Sequence, residues 1–412
     1  MSVPREGAGV PSSTIILALA NRYRYIFLPL MLHVALGFQS AWAQKADVDD
    51  SVLELILPVL MAAKKAQLED WPAAPGVPGD GRLPSILASA RNHFDLPAIG
   101  AVLVKNGQVL ELATTGRRVV THASRVTDSD QWHIGSLTKA MTGTLAALLI
   151  EEGLLTWDTT PEEVWTNEAS TLNPQLRQAS IADFLAHQSG IGNEIFNVPS
   201  VDMIVDGAPG SVTAKRSLWA QELLQQSPIG PKGSYFYSNG GYIIVGAMLE
   251  QITGLDWESL TIARVFGPLG MPNSGFGAPG SPGLPPDAPW GHTQAKIGIE
   301  PGPGSDNPAA IGPAGTVHVT LGDYARFMLA HLRAPGVNLL PAPVIDFLQA
   351  PYQGIWYAMG WLNFTDPRWV GFGLVHDGSN TIWRARVLLI PSLNAGFLLV
   401  TNINVDPPVA FD

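Results

Sequence analysis

The chain has 412 residues, 46% of them apolar and 14% charged, with a formal net charge of -11 and nine histidines. That apolar content excludes a disordered polypeptide, and lysines and arginines scattered without clusters exclude a nucleic-acid footprint or a polybasic membrane patch. With no cysteine there is no disulfide framework, no thiolate metal site and no lipidated cysteine, so the expected partner is a small molecule and not a polyanion.

At the start of the chain, Arg22 and Arg24 precede an apolar run over residues 25–38, followed by Ala41-Trp42-Ala43 and Gln44. The pattern reads as an export signal over residues 1–43, with the mature chain beginning at Gln44 in the periplasm or the medium. A run of this length falls short of the roughly 20 residues that span a bilayer, so no stable membrane span is expected; an uncleaved anchor is the alternative.

Residues 44–95 are expected to form an N-terminal helical segment. Leu53, Ile56, Leu57 and Leu60 have helical apolar spacing within residues 51–71, and residues 83–93 offer a second helix. Next, the apolar runs 99–104 and 109–113 flank Asn106-Gly107, a pair suited to the positive φ angles of a type I′ turn, which predicts a β-hairpin. Helical patterns dominate from Ser136 to about Phe266.

Residues 275–289 and 301–313 are too dense in glycine and proline for regular structure, and read either as surface loops or as a rim shaping access to a site. Two late strands, 382–390 and 396–402, are separated by the turn-like Pro391-Ser392-Leu393-Asn394. The simplest architecture is an α/β (α+β) fold in which early and late hairpins share one antiparallel sheet flanked by helices. The expected single domain, 96–412, has its α/β part at about 96–160 and 310–412 and a mostly helical insertion at about 161–309. An active site at the seam would follow. There is no internal repeat.

Three segments carry the chemistry. Ser136 and Lys139 stand three apart at the expected start of a helix and so on one face. A serine hydroxyl needs a base within hydrogen-bond reach and a site for the developing oxyanion. Burial against Leu137, Met141 and Leu145 would favour the neutral amine. The Ser136 N–H would lie at the positive helix end, with Gly135 allowing close approach of substrate and Gly153 stopping the helix.

Tyr237 and Asn239 would enter one cleft from an extended segment. A phenol near an ammonium loses its proton more easily, and an amide can orient an acyl group. In the third segment, His376-Asp377-Gly378-Ser379-Asn380 is read as a polar turn before the strand near Ile382. There Gly378 would let substrate lie against the strand edge, the Ser379 N–H would be a second oxyanion donor, and His376 would set a titratable group opposite the nucleophile. Each segment alone is equally well an ordinary surface feature.

In their order, the segments resemble the three landmarks of the serine β-lactamase and penicillin-recognising superfamily: Ser-x-x-Lys, Tyr-x-Asn and a Lys-Thr-Gly-like strand motif. Flanking stretches resemble its class C β-lactamase, D-alanyl-D-alanine carboxypeptidase and esterase branch. They are Trp132-His133-Ile134-Gly135, residues 183–190, residues 266–272, Pro313-Ala314-Gly315-Thr316 and residues 323–327.

The resemblance implies Ser136 as acylated nucleophile and Lys139 and Tyr237 as proton-transfer partners, with the general base open between the two. It implies Asn239, His376, Gly378 and Ser379 as substrate-binding, and neither cofactor nor metal. His187 is expected to be structural, holding the turn that ends at Gly190.

The chain departs from the family pattern where its β-lactamases carry a lysine followed by threonine or serine. A largely neutral His376 beside the Asp377 carboxylate weakens attraction for a substrate carboxylate and favours an uncharged ester. The implied function is an exported, carboxylesterase-like serine hydrolase. A β-lactamase, a D-alanyl-D-alanine carboxypeptidase or D-aminopeptidase, and a catalytically inactive penicillin-binding or sensor protein are the alternatives. Family members usually follow the last strand with a helix across the sheet; here either that helix is missing or the chain is shortened.

Overall fold

The computed structural model describes residues 81–404 apart from 194, 205–207, 303 and 366–370. Two units divide the chain; residues 1–76 and 406–412 make up one of them and lie outside the described residues, as do the export signal and the helix expected over 51–71. The other unit is Val77–Val405.

Helix α1 (Leu83–His93) leads into strands β1 (Ala98–Lys105) and β2 (Gln108–Gly116). Lys105 pairs with Gln108 across Asn106 and Gly107, whose φ angles are both positive, so this is the two-residue primed turn the sequence calls for. A short strand, β3 (Gln131–His133), belongs to a separate small sheet. Late in the chain come β4 (Leu362–Thr365), β5 (Phe372–Ser379), β6 (Arg384–Ile390) and β7 (Ala395–Thr401). With β1 and β2 they build a six-stranded antiparallel sheet in the order β2-β1-β7-β6-β5-β4. The early and late hairpins meet in the pairing of β1 with β7, Ile99 opposite Thr401.

Both faces of β1 are covered. Glu111 on β2, opposite Leu103, accepts from the Leu83 N–H and so ties α1 to one face. A helix over Leu321–His331 covers the other, close enough that a side chain at Gly100 would press on Leu321. Because covering helices sit on both sides, β1 is nearly continuously apolar rather than alternating.

The central helix, α2 (Thr138–Glu151), has eleven of its fourteen residues buried, as befits a helix apolar all round. It is entered through a tight turn over Gly135–Leu137. The helical lobe adds α3 (Val212–Gln225) and α4 (Asn239–Thr253).

At the lobe's centre Arg216 is fully buried. Its guanidinium binds Glu250, Glu258 at 2.6 Å, and the carbonyls of Ala310 and Ala309 at 3.0 and 3.1 Å. The brace fixes the turn at Ala309–Ile311, immediately before the segment that reaches α2. Thr142 on α2 donates to the Pro313 carbonyl at 2.7 Å, locking that segment in place.

One expectation changes here. Residues 376–379 are not a turn before a strand but the end of β5 itself, paired with β6. The strand β4 stops opposite Val375, so beyond it β5 has a strand neighbour on one side only.

Candidate active site

The turn before α2, the segment entering α4 and the end of β5 converge. Lys139 is fully buried while Ser136 and Tyr237 are half-buried. Three oxygens surround the Lys139 Nζ: Ser136 Oγ at 3.0 Å, Asn239 Oδ1 at 2.6 Å and the Ala314 carbonyl at 2.8 Å. Among the described residues no carboxylate pairs with it. Burial, with no opposite charge to offset it, holds the amine pKa well below the ordinary lysine value.

Neutral, the amine has two hydrogens and a lone pair. Ala314 O and Asn239 Oδ1 only accept, so they take the two hydrogens and leave the lone pair facing Ser136. On the other side of the serine, the Tyr237 hydroxyl donates to Oγ at 2.9 Å. The relay therefore runs in one sense, from the phenol to the serine to the amine.

Expectation and structure differ on Tyr237. Burial raises its pKa above the ordinary phenol value, outweighing the hydrogen bond with Ser136, which acts the other way. The neighbouring amine is itself held neutral, so no cation eases the proton off. Tyr237 keeps its proton and serves as a donor.

The segment carrying Tyr237 is strapped along residues 187–193. The Ser238 N–H donates to His187 Nδ1 at 3.1 Å, the Ser238 hydroxyl to Gly192 O at 2.6 Å, and the Asn239 N–H to Asn193 Oδ1 at 2.9 Å. His187 thus orients the segment ahead of α4 rather than only its own turn. It lies among the rings of Tyr235, Tyr237, Tyr242 and Tyr357 at 4.5–5.9 Å. Burial pushes its pKa well down.

His376 is buried on the face of β5 turned towards α2. Its Nδ1 lies 2.6 Å from the Asp377 carbonyl, which only accepts, so that nitrogen carries the hydrogen; Nε2 accepts from the Tyr357 hydroxyl at 2.9 Å. Burial lowers its pKa to about 3. It is a neutral imidazole with both nitrogens engaged, not a titrating group opposite the nucleophile. Asp377 points to the opposite face, where its carboxylate meets Arg386 at 3.0 Å and Arg384 at 3.8 Å. The expected negative charge beside His376 is therefore neutralised behind the sheet.

Both glycines act differently from the expectation. A side chain at Gly135, whose φ is +51°, would collide with the Ser379 backbone nitrogen, and one at Gly378 with the Ile134 carbonyl. Each is glycine so that the turn before Ser136 can pack directly on β5, not to admit substrate. The consequence is that the Ser379 backbone nitrogen lies beside Gly135, one residue from the Ser136 N–H, where an oxyanion site needs its second donor.

Residues 87–412 match the family model described as Beta-lactamase. The chain belongs to the Beta-lactamase family. Among curated proteins it is 27% identical over 334 residues to penicillin-binding protein 4 of Amycolatopsis lactamdurans, covering 76% of this chain and 82% of that one. It is also 27% identical over 312 residues to the unguisins hydrolase ungD' of Aspergillus campestris, covering 68% of this chain but 54% of the relative's length.

Among solved structures, the class C β-lactamase from Rhodobacter sphaeroides superposes with a TM-score of 0.61 at 18% identity, over 78% of this chain and 93% of that one. The octameric penicillin-binding protein homologue from Pyrococcus abyssi gives 0.62 at 20%, over 79% and 73%. Both show a shared fold. The antiparallel sheet flanked by helices is therefore the architecture of this family.

Ser136, Lys139, Tyr237 and Asn239 are brought together as the spacing required, and Ser379 approaches by its backbone. Residues that the spacing does not reveal complete the site. Ala314 supplies a carbonyl through a turn, and Tyr357 reaches His376 from the loop after the helix Ala342–Gln349. A carbonyl has no sequence signature, although Pro313-Ala314-Gly315-Thr316 stood out by resemblance.

Proposed function

We propose that the protein is an exported serine hydrolase working through an acyl-enzyme, with a preference for small uncharged esters. The observation that carries this reading is the placement of Ser136 Oγ between a buried amine at 3.0 Å and a phenol at 2.9 Å. Lys139 takes the serine proton as Oγ attacks the carbonyl carbon. Tyr237 passes its proton to the leaving group and is reprotonated from Lys139. The Ser136 and Ser379 N–H groups hold the oxyanion. Water then attacks the acyl-enzyme, giving a proton to the same pair, and releases the acid and free Ser136.

The ester preference rests on His376. A neutral imidazole, with both nitrogens already engaged, offers no positive charge to a substrate carboxylate. Export rests on the arginines and apolar run before Gln44; among the described residues no helix is long and apolar enough to cross a membrane. The second reading, hydrolysis of a lactam or a peptide amide, is supported by the penicillin-binding and unguisins-hydrolase relatives.

One preparation decides between them. Intact-mass detection of the adduct on Ser136, with turnover measured across short-chain esters, cephalosporins and D-Ala-D-Ala peptides, is expected to favour the esters. Faster acylation by cephalosporin or peptide would overturn the ester preference. No adduct with any substrate, and no labelling of Ser136 by a fluorophosphonate, would point to a catalytically inactive member.

A further inference from the structure

Next to the catalytic seam lies a second polar chain that touches none of the reacting atoms. His133 is fully buried just before the nucleophile turn. Its Nδ1 accepts the Gly135 N–H at 3.1 Å, so its Nε2 carries the hydrogen and donates to Asp306 Oδ2 at 2.9 Å. The other Asp306 oxygen accepts from the Asn380 amide at 2.8 Å and from the Asn307 N–H at 2.7 Å. Asn380 is buried and directly follows Ser379.

The three side chains come from three parts of the chain: the short strand β3, the glycine- and proline-rich loop, and the residue just past the end of β5. Burying polar groups is unfavourable unless each finds a partner, and a loop has no packing reason to send a carboxylate between a strand and a turn. What the chain joins is specific. One end holds the residue before Ser136, the other the residue after Ser379.

We infer that His133, Asp306 and Asn380 form a positioning strut that sets the spacing of the Ser136 and Ser379 N–H groups, and so tunes oxyanion stabilisation. The inference rests on the acyl-transfer reading above. None of the three is a catalytic residue; they act through the two backbones they hold. Oxyanion donors act only when aligned with the charge that develops, so a shifted spacing lowers kcat and leaves substrate binding nearly intact.

The test uses a donor-acceptor swap in the full-length protein. In Asp306→Ala the strut is cut, and in Asn380→Asp two carboxylates face each other. Each is expected to lower kcat for the best ester about 10- to 100-fold, with KM within about threefold of wild type.

The double variant Asp306→Asn with Asn380→Asp exchanges the two groups. The amide introduced at position 306 accepts from His133 through its oxygen and donates through its N–H to the carboxylate introduced at position 380, giving up only the bond from the Asn307 N–H. That variant is expected to recover kcat to within about threefold of wild type. Melting temperatures of all three accompany the kinetics; should Asp306→Ala fail to fold, Asn380→Asp and the swap still carry the comparison.

Unchanged kcat in the single variants, equal losses in kcat and affinity, or a folded swap as impaired as Asn380→Asp would overturn the strut. Wild-type protein that neither labels at Ser136 nor turns over any substrate would instead overturn the reading of the site, and the strut with it. A protein that labels and turns over normally while the variants match it removes the strut alone.

Discussion

Lys139 and Arg216 are both buried completely, one at the seam beside the sheet and the other inside the helical lobe, yet their surroundings are opposite. Arg216 faces two carboxylates, Glu250 and Glu258, and two backbone carbonyls. Lys139 has three neutral partners and, among the described residues, no carboxylate. A guanidinium cannot shed its proton in a protein, so it must be paired to be buried. An amine can shed its proton, and does so when burial is not compensated. The same burial makes a brace in one place and a base in the other, and the presence of a counter-charge decides which.

The largest effect should fall on the uncompensated amine and its serine. Ser136→Ala and Lys139→Arg are each expected to lower ester turnover by at least about 10³-fold. The arginine variant, protonated at every usable pH, should not recover when the pH is raised. Recovery at alkaline pH, measured as kcat/KM from pH 6 to 10, would show that Lys139 is not the base.

The paired cation should instead govern stability. Arg216→Met leaves two carboxylates in the lobe without a partner and is expected to cost about 3–5 kcal/mol, a fall in Tm on the order of 10 °C. Replacing Glu250 and Glu258 by glutamine in the same variant should restore much of that loss. A Tm unchanged by Arg216→Met would show that the ion pairs are not what holds the lobe.

Tyr237→Phe sharpens the relay. Removing the donor on the far side of Ser136 should lower kcat about 10²-fold while leaving the fold intact, seen as unchanged circular dichroism beside slowed turnover. A loss as great as that of Ser136→Ala would make the phenol, not the amine, the base.

The smallest effect is on stability against pH. Burial lowers the pKa values of His376 and His331 to about 3 and that of His318 to about 4, against about 6.5 in the unfolded chain. The unfolded chain therefore binds protons first. Stability contributed by these neutral rings is full above pH 6.5 and is lost as the pH falls towards 4 for His318 and towards 3 for His376 and His331, at up to about 1.4 kcal/mol per pH unit for each ring. Denaturant midpoints at pH 7, 6 and 5 should fall progressively, and His331→Gln should flatten that slope by about one proton.

Much of this was readable in advance wherever local chemistry leaves one choice. Asn106-Gly107 allows little but the primed turn, and α1 was predicted at the boundaries observed, Leu83–His93. Ser136 and Lys139 meet because residues three apart on a helical turn share a face. The reading went astray where a strand and a turn look alike. His376-Asp377-Gly378-Ser379 is polar and glycine-containing, yet it is held in β5 by its pairing with β6, a contact made only in the folded sheet. Gly135 and Gly378 likewise carry no local sign of their role, since the close approach is between two protein backbones.

The order and spacing of residues are enough for the hairpin, the central helix, the shared early and late sheet, and the meeting of Ser136, Lys139, Tyr237 and Asn239. Those features follow from backbone preference and helical or strand periodicity, which act between near neighbours. Only the tertiary structure decided that Lys139 is buried without a carboxylate, that Tyr237 keeps its proton, that Asp377 faces away, and that Asp306 reaches His133 across 173 residues. Protonation and orientation depend on which distant groups share the same dry space, and no local pattern records that.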